Sequence, residues 1–335
     1  MLHLRLIVPP DRSDDVAALI TKTVGATHLT VLRGAALDPP GDLMTCDVAR
    51  EAADPLLVEL RKLGIDKTGS IAVESIDVSL SRSADQAEED APGEGADAVV
   101  WESLVEETHE ESTLTVTFLA FLTVATMLAA FGVMLDSSIL IVGAMVVGPE
   151  FGPLAGFCTG LVRRDLPLAR RSVVAVTVGF LIATLLTGAF SALLDLFGLF
   201  SRSQFESPHP ATEFIWQPSW DSLVVAMLAG IAGILSLTSA KSGALVGVAI
   251  SVTTVPAAAN AALAISYANW HEASGSAVQL VVNLAGIALA GTLTLLAQKQ
   301  LWARQRTRKG TAGGPQAGGR RKGPPRGPWF SRGSI

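Results

Sequence analysis

Apolar and polar positions follow two different patterns along the chain. Up to about residue 112 the period changes every few residues. Leu2 to Val8 alternates like a strand, Asp14 to Val24 has apolar residues at helical spacing, and Thr27 to Leu32 alternates again. The turn-rich stretch Ala35 to Asp42 leads into a strand over Leu43 to Ala49. Ala52 to Leu63 reads as a helix closed by Gly64, and Ser70 to Val78 as a last strand. The order βαββαβ predicts an α+β, ferredoxin-like domain over residues 1–80, with two helices covering one face of a four-stranded sheet.

From Leu114 to Gln298 the pattern becomes a series of apolar runs. Each run is roughly 18 to 25 residues, long enough to cross a hydrocarbon core of about 30 Å as a helix. The expected class is an α-helical polytopic membrane domain over 113–298, with spans at 114–135, 138–162, 172–197, 222–240, 243–267 and 277–298. Between the two regimes, 79–97 is rich in Ser, Ala, Asp, Glu, Pro and Gly and reads as a linker. Ala98 to Glu111 has Val100, Trp101, Leu104 and Val105 on one side and glutamates elsewhere, the pattern of an amphipathic helix. That helix lies either at the membrane surface or against the soluble domain.

Composition and charge add orientation. Apolar residues make up 49% of the chain and charged ones 17%, a balance too apolar for an ordinary soluble enzyme. The first thirty residues lack the short apolar core and cleavage site of a signal peptide, so the later helices are expected to direct insertion. The net charge of −6 hides an acidic stretch at 85–111 and a basic, Gly- and Pro-rich tail over 299–335, which reads as disordered. Arg163, Arg164, Arg170 and Arg171 fall between spans two and three, Lys241 between four and five, and Lys299 follows six. The opposite loops contain only Arg202, so both termini are expected on the cytoplasmic face of the cell membrane. Trp216, Trp220, Trp270 and Trp302 suit the interfaces. The tail is expected to partner anionic lipid rather than nucleic acid, because no interleaved aromatics accompany its charge. Cys46 and Cys158 lie in different regimes and are not expected to pair.

Candidate chemistry sits where spans two and five are interrupted. Gly148-Pro149-Glu150-Phe151-Gly152-Pro153 breaks helical hydrogen bonding twice near mid-membrane, and the freed carbonyls must face protein or water. Span five has Ser251, Thr253 and Thr254 before Pro256, with Asn260 one turn beyond. Such breaks form binding sites in transporters, and three spans followed by three in the opposite sense permit an inverted repeat. Glu150 is the sharpest single residue, since a mid-membrane carboxylate survives where it pairs, binds a cation or carries a proton. Gly148, Gly152, Gly156 and Gly160, like Ser239, Gly243, Gly247 and Ser251, form small-residue ridges that read as packing surfaces and permit self-association. Lys241 reads either as an interfacial cation or as an anion holder at a helix start. Nothing points to catalysis, a cofactor or a metal. No His-Glu-x-x-His motif occurs, Asp136, Asp195 and Asp221 lie at span ends, and no span contains a histidine.

Two segments carry a resemblance. Ile141-Val-Gly-Ala-Met-Val-Val-Gly-Pro-Glu-Phe-Gly-Pro-Leu-Ala-Gly and Leu235-Ser-Leu-Thr-Ser-Ala-Lys-Ser-Gly-Ala-Leu-Val-Gly-Val-Ala-Ile-Ser-Val-Thr-Thr-Val-Pro resemble a family of uncharacterised bacterial and archaeal hydrophobic membrane proteins, known as a domain of unknown function. The resemblance implies a polytopic membrane protein with an N-terminal cytoplasmic domain and implies no substrate. In that family an apolar residue often stands where this chain has Glu150, so the shared pattern does not itself demand a carboxylate. The expected function is a transporter or channel for an ion or small solute with a cytoplasmic regulatory domain. The alternative is a membrane-anchored ligand sensor or oligomeric scaffold.

Overall fold

The computed structural model describes residues 1–76, 78–91, 99–239 and 254–312. Ser251, Thr253, Lys241, Gly243, Gly247, the first half of the expected fifth span and the tail beyond 312 lie outside the described residues.

The N-terminal region runs β1 (Leu2–Val8), α1 (Ser13–Lys22), β2 (Ala26–Leu37), β3 (Pro40–Val48), α2 (Arg50–Lys62), α3 (Ile65–Thr68) and β4 (Ser70–Ser75). The sheet order is β2-β3-β1-β4 with every neighbouring pair antiparallel. Alternation explains the core. Leu2, Leu4, Leu6 and Val8 on one face of β1 meet Met44, Cys46 and Val48 of β3, and all are buried with Val16 and Ile20 of α1 and Leu56 and Leu60 of α2. Beyond β4 the structure corrects one expectation: the linker contains a helix, α4 (Arg82–Asp90), capped by the Ser81 hydroxyl. His28 holds it to the sheet, its Nε2 3.0 Å from Ser81 Oγ and 2.7 Å from Ser83 Oγ.

The helical region follows: α5 (Trp101–Glu111), α6 (Val116–Met134), α7 (Ser138–Val147), α8 (Phe151–Arg163), α9 (Leu166–Leu196), α10 (Arg202–Phe205), α11 (Trp220–Thr238), α12 (Val255–Ser266) and α13 (Trp270–Ala312). Among the described residues, four helices are long and apolar enough to cross a membrane, namely α6, α9, α11 and α13. The count is five if α7 and α8, bent by 54° at their junction, form one broken span. This is a multi-pass architecture. Leu181, Leu185 and Leu193 of α9 and Val224 and Leu228 of α11 are exposed, as lipid-facing side chains would be.

Three boundaries differ by six residues or more from those the apolar runs predict, each because polar residues extend a helix. The third span starts at Leu166 rather than 172, since Asp165 accepts the Leu168 amide at 3.1 Å and proline occupies the first turn. The sixth starts at Trp270 rather than 277, where Asn269 Oδ1 accepts the Glu272 amide at 3.3 Å. It also continues past 298 to Ala312, so the basic tail expected from 299 begins as helix, with cations where the helix dipole favours them.

Helix α5 joins the two regions. Trp101 and Leu104 are buried among Ala155, Cys158 and Val162 of α8, Ile234 of α11 and Leu295 of α13. The neighbouring Glu102 carboxylate bridges Arg61 of α2 and Arg163 of α8, the latter at 2.9 Å. Arg50 of α2 donates to the Thr238 carbonyl at 3.1 Å, and Lys299 of α13 to the Val162 carbonyl at 3.1 Å. The ends of α8, α11 and α13 therefore gather beside the soluble domain. At the far end, Asp136 accepts from Ala211 N at 3.1 Å and Thr212 Oγ1 at 3.0 Å, while Phe205 stacks on Tyr267.

Glu102→Ala removes the charge shared by Arg61 and Arg163, a half-buried link, and should destabilise the protein by about 1–2 kcal/mol, between exposed and buried ion-pair values. Thermal unfolding in detergent measures it. Asp42 gives a pH prediction. The Ser13 hydroxyl first, then the Gly34 amide and Arg33, hold its carboxyl below the ordinary value. A depressed pKa contributes stability above the unfolded value of about 3.9 that is lost as pH falls through the folded value. Acid titration of unfolding should therefore show a loss below about pH 4 that Asp42→Asn diminishes.

Candidate functional site

The two short helices begin in the middle of the bundle and diverge. From its start at Phe151, α8 runs to Arg163 beside the soluble domain, whereas α12 runs from Val255 to Ser266 at the far end. With 12 residues, α12 is about 18 Å long at a rise of 1.5 Å per residue, so its first turn lies well inside the bundle. Proline accounts for both starts. Pro149 disfavours helical geometry at Gly148, whose ψ is 126°, and lacks the amide needed to continue α7. Pro153 and Pro256 occupy the first turns of α8 and α12, where an amide would be unpaired anyway.

The residues just before the two helices touch. Thr254 Oγ1 donates to Glu150 Oε1 at 2.7 Å. Both N-terminal dipoles thus meet near one carboxylate, the sign that helix N-termini favour. Glu150 is 1% exposed, and its second oxygen, Oε2, has no hydrogen-bond partner among the described residues. Among the described residues no cation pairs with it. An ionised carboxylate this deep costs about 3 kcal/mol or more on insertion scales. Gly148 makes room for it: a Cβ there would collide with Oε2 and lie 2.9 Å from the Val255 side chain.

An open cavity of about 380 Å³ lies beside the α7–α8 break. Glu110, Glu111 and Thr113 border it on one side, Thr117 and Phe121 of α6 on another, and Gly148 and Pro149 at the break itself. Burial, and then the charge of Glu107, push the Glu111 carboxyl above the ordinary glutamate range. The structure places Gly152 against that carboxylate, Gly156 against the hydroxyls of Ser112 and Ser172, and Gly160 against the backbone of Asp165 and Ala169. A larger groove, of about 690 Å³, separates α5 from α2 and β4 and includes Glu102, Glu106, Glu107, Glu110 and Asp66.

Of the residues singled out by sequence, Pro149, Glu150, Thr254 and Pro256 come together, with Pro153 one turn along α8. Asn260 belongs elsewhere. It is 1% exposed, and its amide donates to Glu272 Oε1 at 3.0 Å and Ser276 Oγ at 2.9 Å. Those partners begin a stripe on α13 that the sequence reading missed: Ser276, Gln279 and Asn283 are all buried, and Gln279 donates to Asn283 at 3.3 Å. Gln279 Oε1 has no hydrogen-bond partner among the described residues. The signal was present as polar residues at i, i+4, i+7 and i+11 from Glu272 within an otherwise apolar helix.

Residues 145–289 match the family model described as Domain of unknown function (DUF389), a stretch that includes both helix starts. The chain is 23% identical over 232 residues to the Uncharacterized protein MJ0678 of Methanocaldococcus jannaschii, covering 67% of this chain and 68% of that one. No solved structure matches. The resemblance to an uncharacterised family of unknown function therefore holds.

Thr254→Val should remove the hydroxyl that donates to Glu150 Oε1 and lower stability by about 1–3 kcal/mol, the cost of an unsatisfied buried acceptor. Thermal unfolding of the purified variant measures the change, and a Thr254→Ser variant should retain most of the wild-type value.

Proposed function

We propose that this chain is a membrane transporter or channel for an ion or small solute, regulated by its N-terminal domain. The meeting of two helix starts at Glu150 and Thr254, next to a cavity bordered by Gly148 and Pro149, carries this reading. Backbone freed by a break is tolerated at membrane depth where it lines protein or water. Here the freed segment at Gly148 and Pro149 borders the cavity. The arrangement is doubled along the chain: α6, the α7–α8 pair and α9 are followed by α11, α12 and α13. That order supports two inverted halves, each with a helix that starts at the midplane, which is how transporter sites are commonly built.

Orientation follows from charge. Arg163, Arg164, Arg170, Arg171 and Lys299 lie at the soluble-domain end, and the far loops contain Arg202 paired with Glu206. The reading places the ferredoxin-like domain and both termini in the cytoplasm, and the basic tail against anionic lipid. Regulation has a physical route, because Glu102 of α5 bridges the soluble domain to α8 while Glu110 and Glu111, at the other end of α5, border the cavity.

Osmotic swelling of proteoliposomes in a panel of salts and small neutral solutes tests the proposal. At least one solute should enter faster than into protein-free vesicles, and Gly148→Val, which fills the space beside Glu150, should abolish the difference. Equal swelling of protein-containing and protein-free vesicles in every solute would overturn it.

A further inference from the structure

We infer that the transported species is a monovalent cation and that the α13 stripe of Glu272, Ser276, Gln279 and Asn283, with Asn260, forms the far half of its path. The inference rests on the transport reading above and adds a substrate class and a route. Among the described residues the charged groups along the proposed path are carboxylates, Glu110 and Glu111 beside the cavity, Glu150 and Glu272, the last with the imidazoles of His209 and His271 near it. Neither α6, α7 nor α12 contains a lysine or arginine, and those of α8, α9 and α13 cluster at the soluble-domain end. An anion reaching the midplane would meet a carboxylate with no compensating cation among the described residues, whereas a cation would find its counter-charge.

Two independent oxygens mark the route. Glu150 Oε2 and Gln279 Oε1 are both acceptors, both more than nine-tenths buried, and both without a hydrogen-bond partner among the described residues. Glu150 Oε2 lies against Gly148, which borders the cavity. The depth of the second oxygen follows from packing. Both α8 and α13 run toward the soluble domain, and Cys158 Sγ donates to the Ala288 carbonyl at 3.4 Å. Eight residues back along each, about 12 Å by helix rise, the level of Glu150 falls beside Leu280, between Gln279 and Asn283. The stripe therefore begins at the depth of Glu150 and continues through Ser276 and Asn260 to Glu272. A single carboxylate balances a single positive charge.

Tracer flux into proteoliposomes holding the full chain tests this, with sodium, rubidium and chloride as radioisotopes and protons followed by an enclosed pH dye. Alkali cations or protons should enter, the separate readouts distinguishing them, and chloride should not. Glu150→Gln and Gln279→Leu should each reduce cation flux at least tenfold, Glu150→Asp should retain part of it, and Glu213→Gln in the far loop should leave it unchanged. Circular dichroism and size-exclusion profiles identify the folded variants. Chloride or neutral-solute flux without cation flux would overturn the inference while leaving the transport reading intact. Cation flux unaltered in folded Glu150→Gln and Gln279→Leu would overturn the assigned route. No flux of any species would overturn both.

Discussion

Backbone polar groups inside a hydrocarbon layer must find partners, and that requirement organises this molecule. A continuous helix meets it alone; an interrupted one meets it only where other protein or water covers the gap. Gly148-Pro149 makes such a gap between α7 and α8, and α12, with Pro256 in its first turn, starts beside it. Covering that gap accounts for the arrangement around it. The central helix α12 is buried from Val255 to Ala264, enclosed by α6, α9 and α13. Once two N-termini are enclosed together, an acceptor between them is electrostatically favoured, and Glu150 occupies that place with one oxygen bonded and the other without a partner among the described residues.

The same constraint explains how the soluble domain is attached. Glu110 and Glu111 of α5 border the cavity beside the helix break, while the apolar side of α5 closes over α8. Trp101 is buried against the bundle with Arg163 and Lys299 each 6.0 Å from its ring centroid. Because Glu102 pairs with arginines from both regions, a tilt of the sheet domain would act on α5 and hence on Glu110 and Glu111.

Much of the architecture could be read from residue patterns. Period-two alternation over Leu2 to Val8 predicts β1 because one face of that strand is buried and the other is not, and the Pro149 break appears because proline removes an amide wherever it stands. Helix boundaries were less legible, since Asp165 and Asn269 are polar residues outside the apolar runs that nevertheless start helices. Helix α4 was hidden because its buried face consists only of small alanines, Ala84 and Ala87, and its anchor, His28, lies more than fifty residues away. The pairing of Glu150 with Thr254 spans about a hundred residues and depends on tertiary packing alone. The α13 stripe was overlooked because Ser, Gln and Asn scattered through an apolar helix attract notice only when their spacing is counted.

The central claim is that the cavity beneath Gly148 holds water within the thickness of the membrane. Reaction of a cysteine at Phe121, on the α6 wall, with a membrane-impermeant methanethiosulfonate reagent tests it most directly, because only a water-exposed thiol ionises and reacts. Native Cys46 and Cys158 are buried and contribute little background. Both side chains are exposed, Phe121 at 51% beside the glutamate-lined cavity and Leu185 at 64% on the apolar surface of α9; the account predicts that Phe121→Cys is modified rapidly from the soluble-domain side and Leu185→Cys is not. Equal inertness of the two positions in folded protein would contradict it.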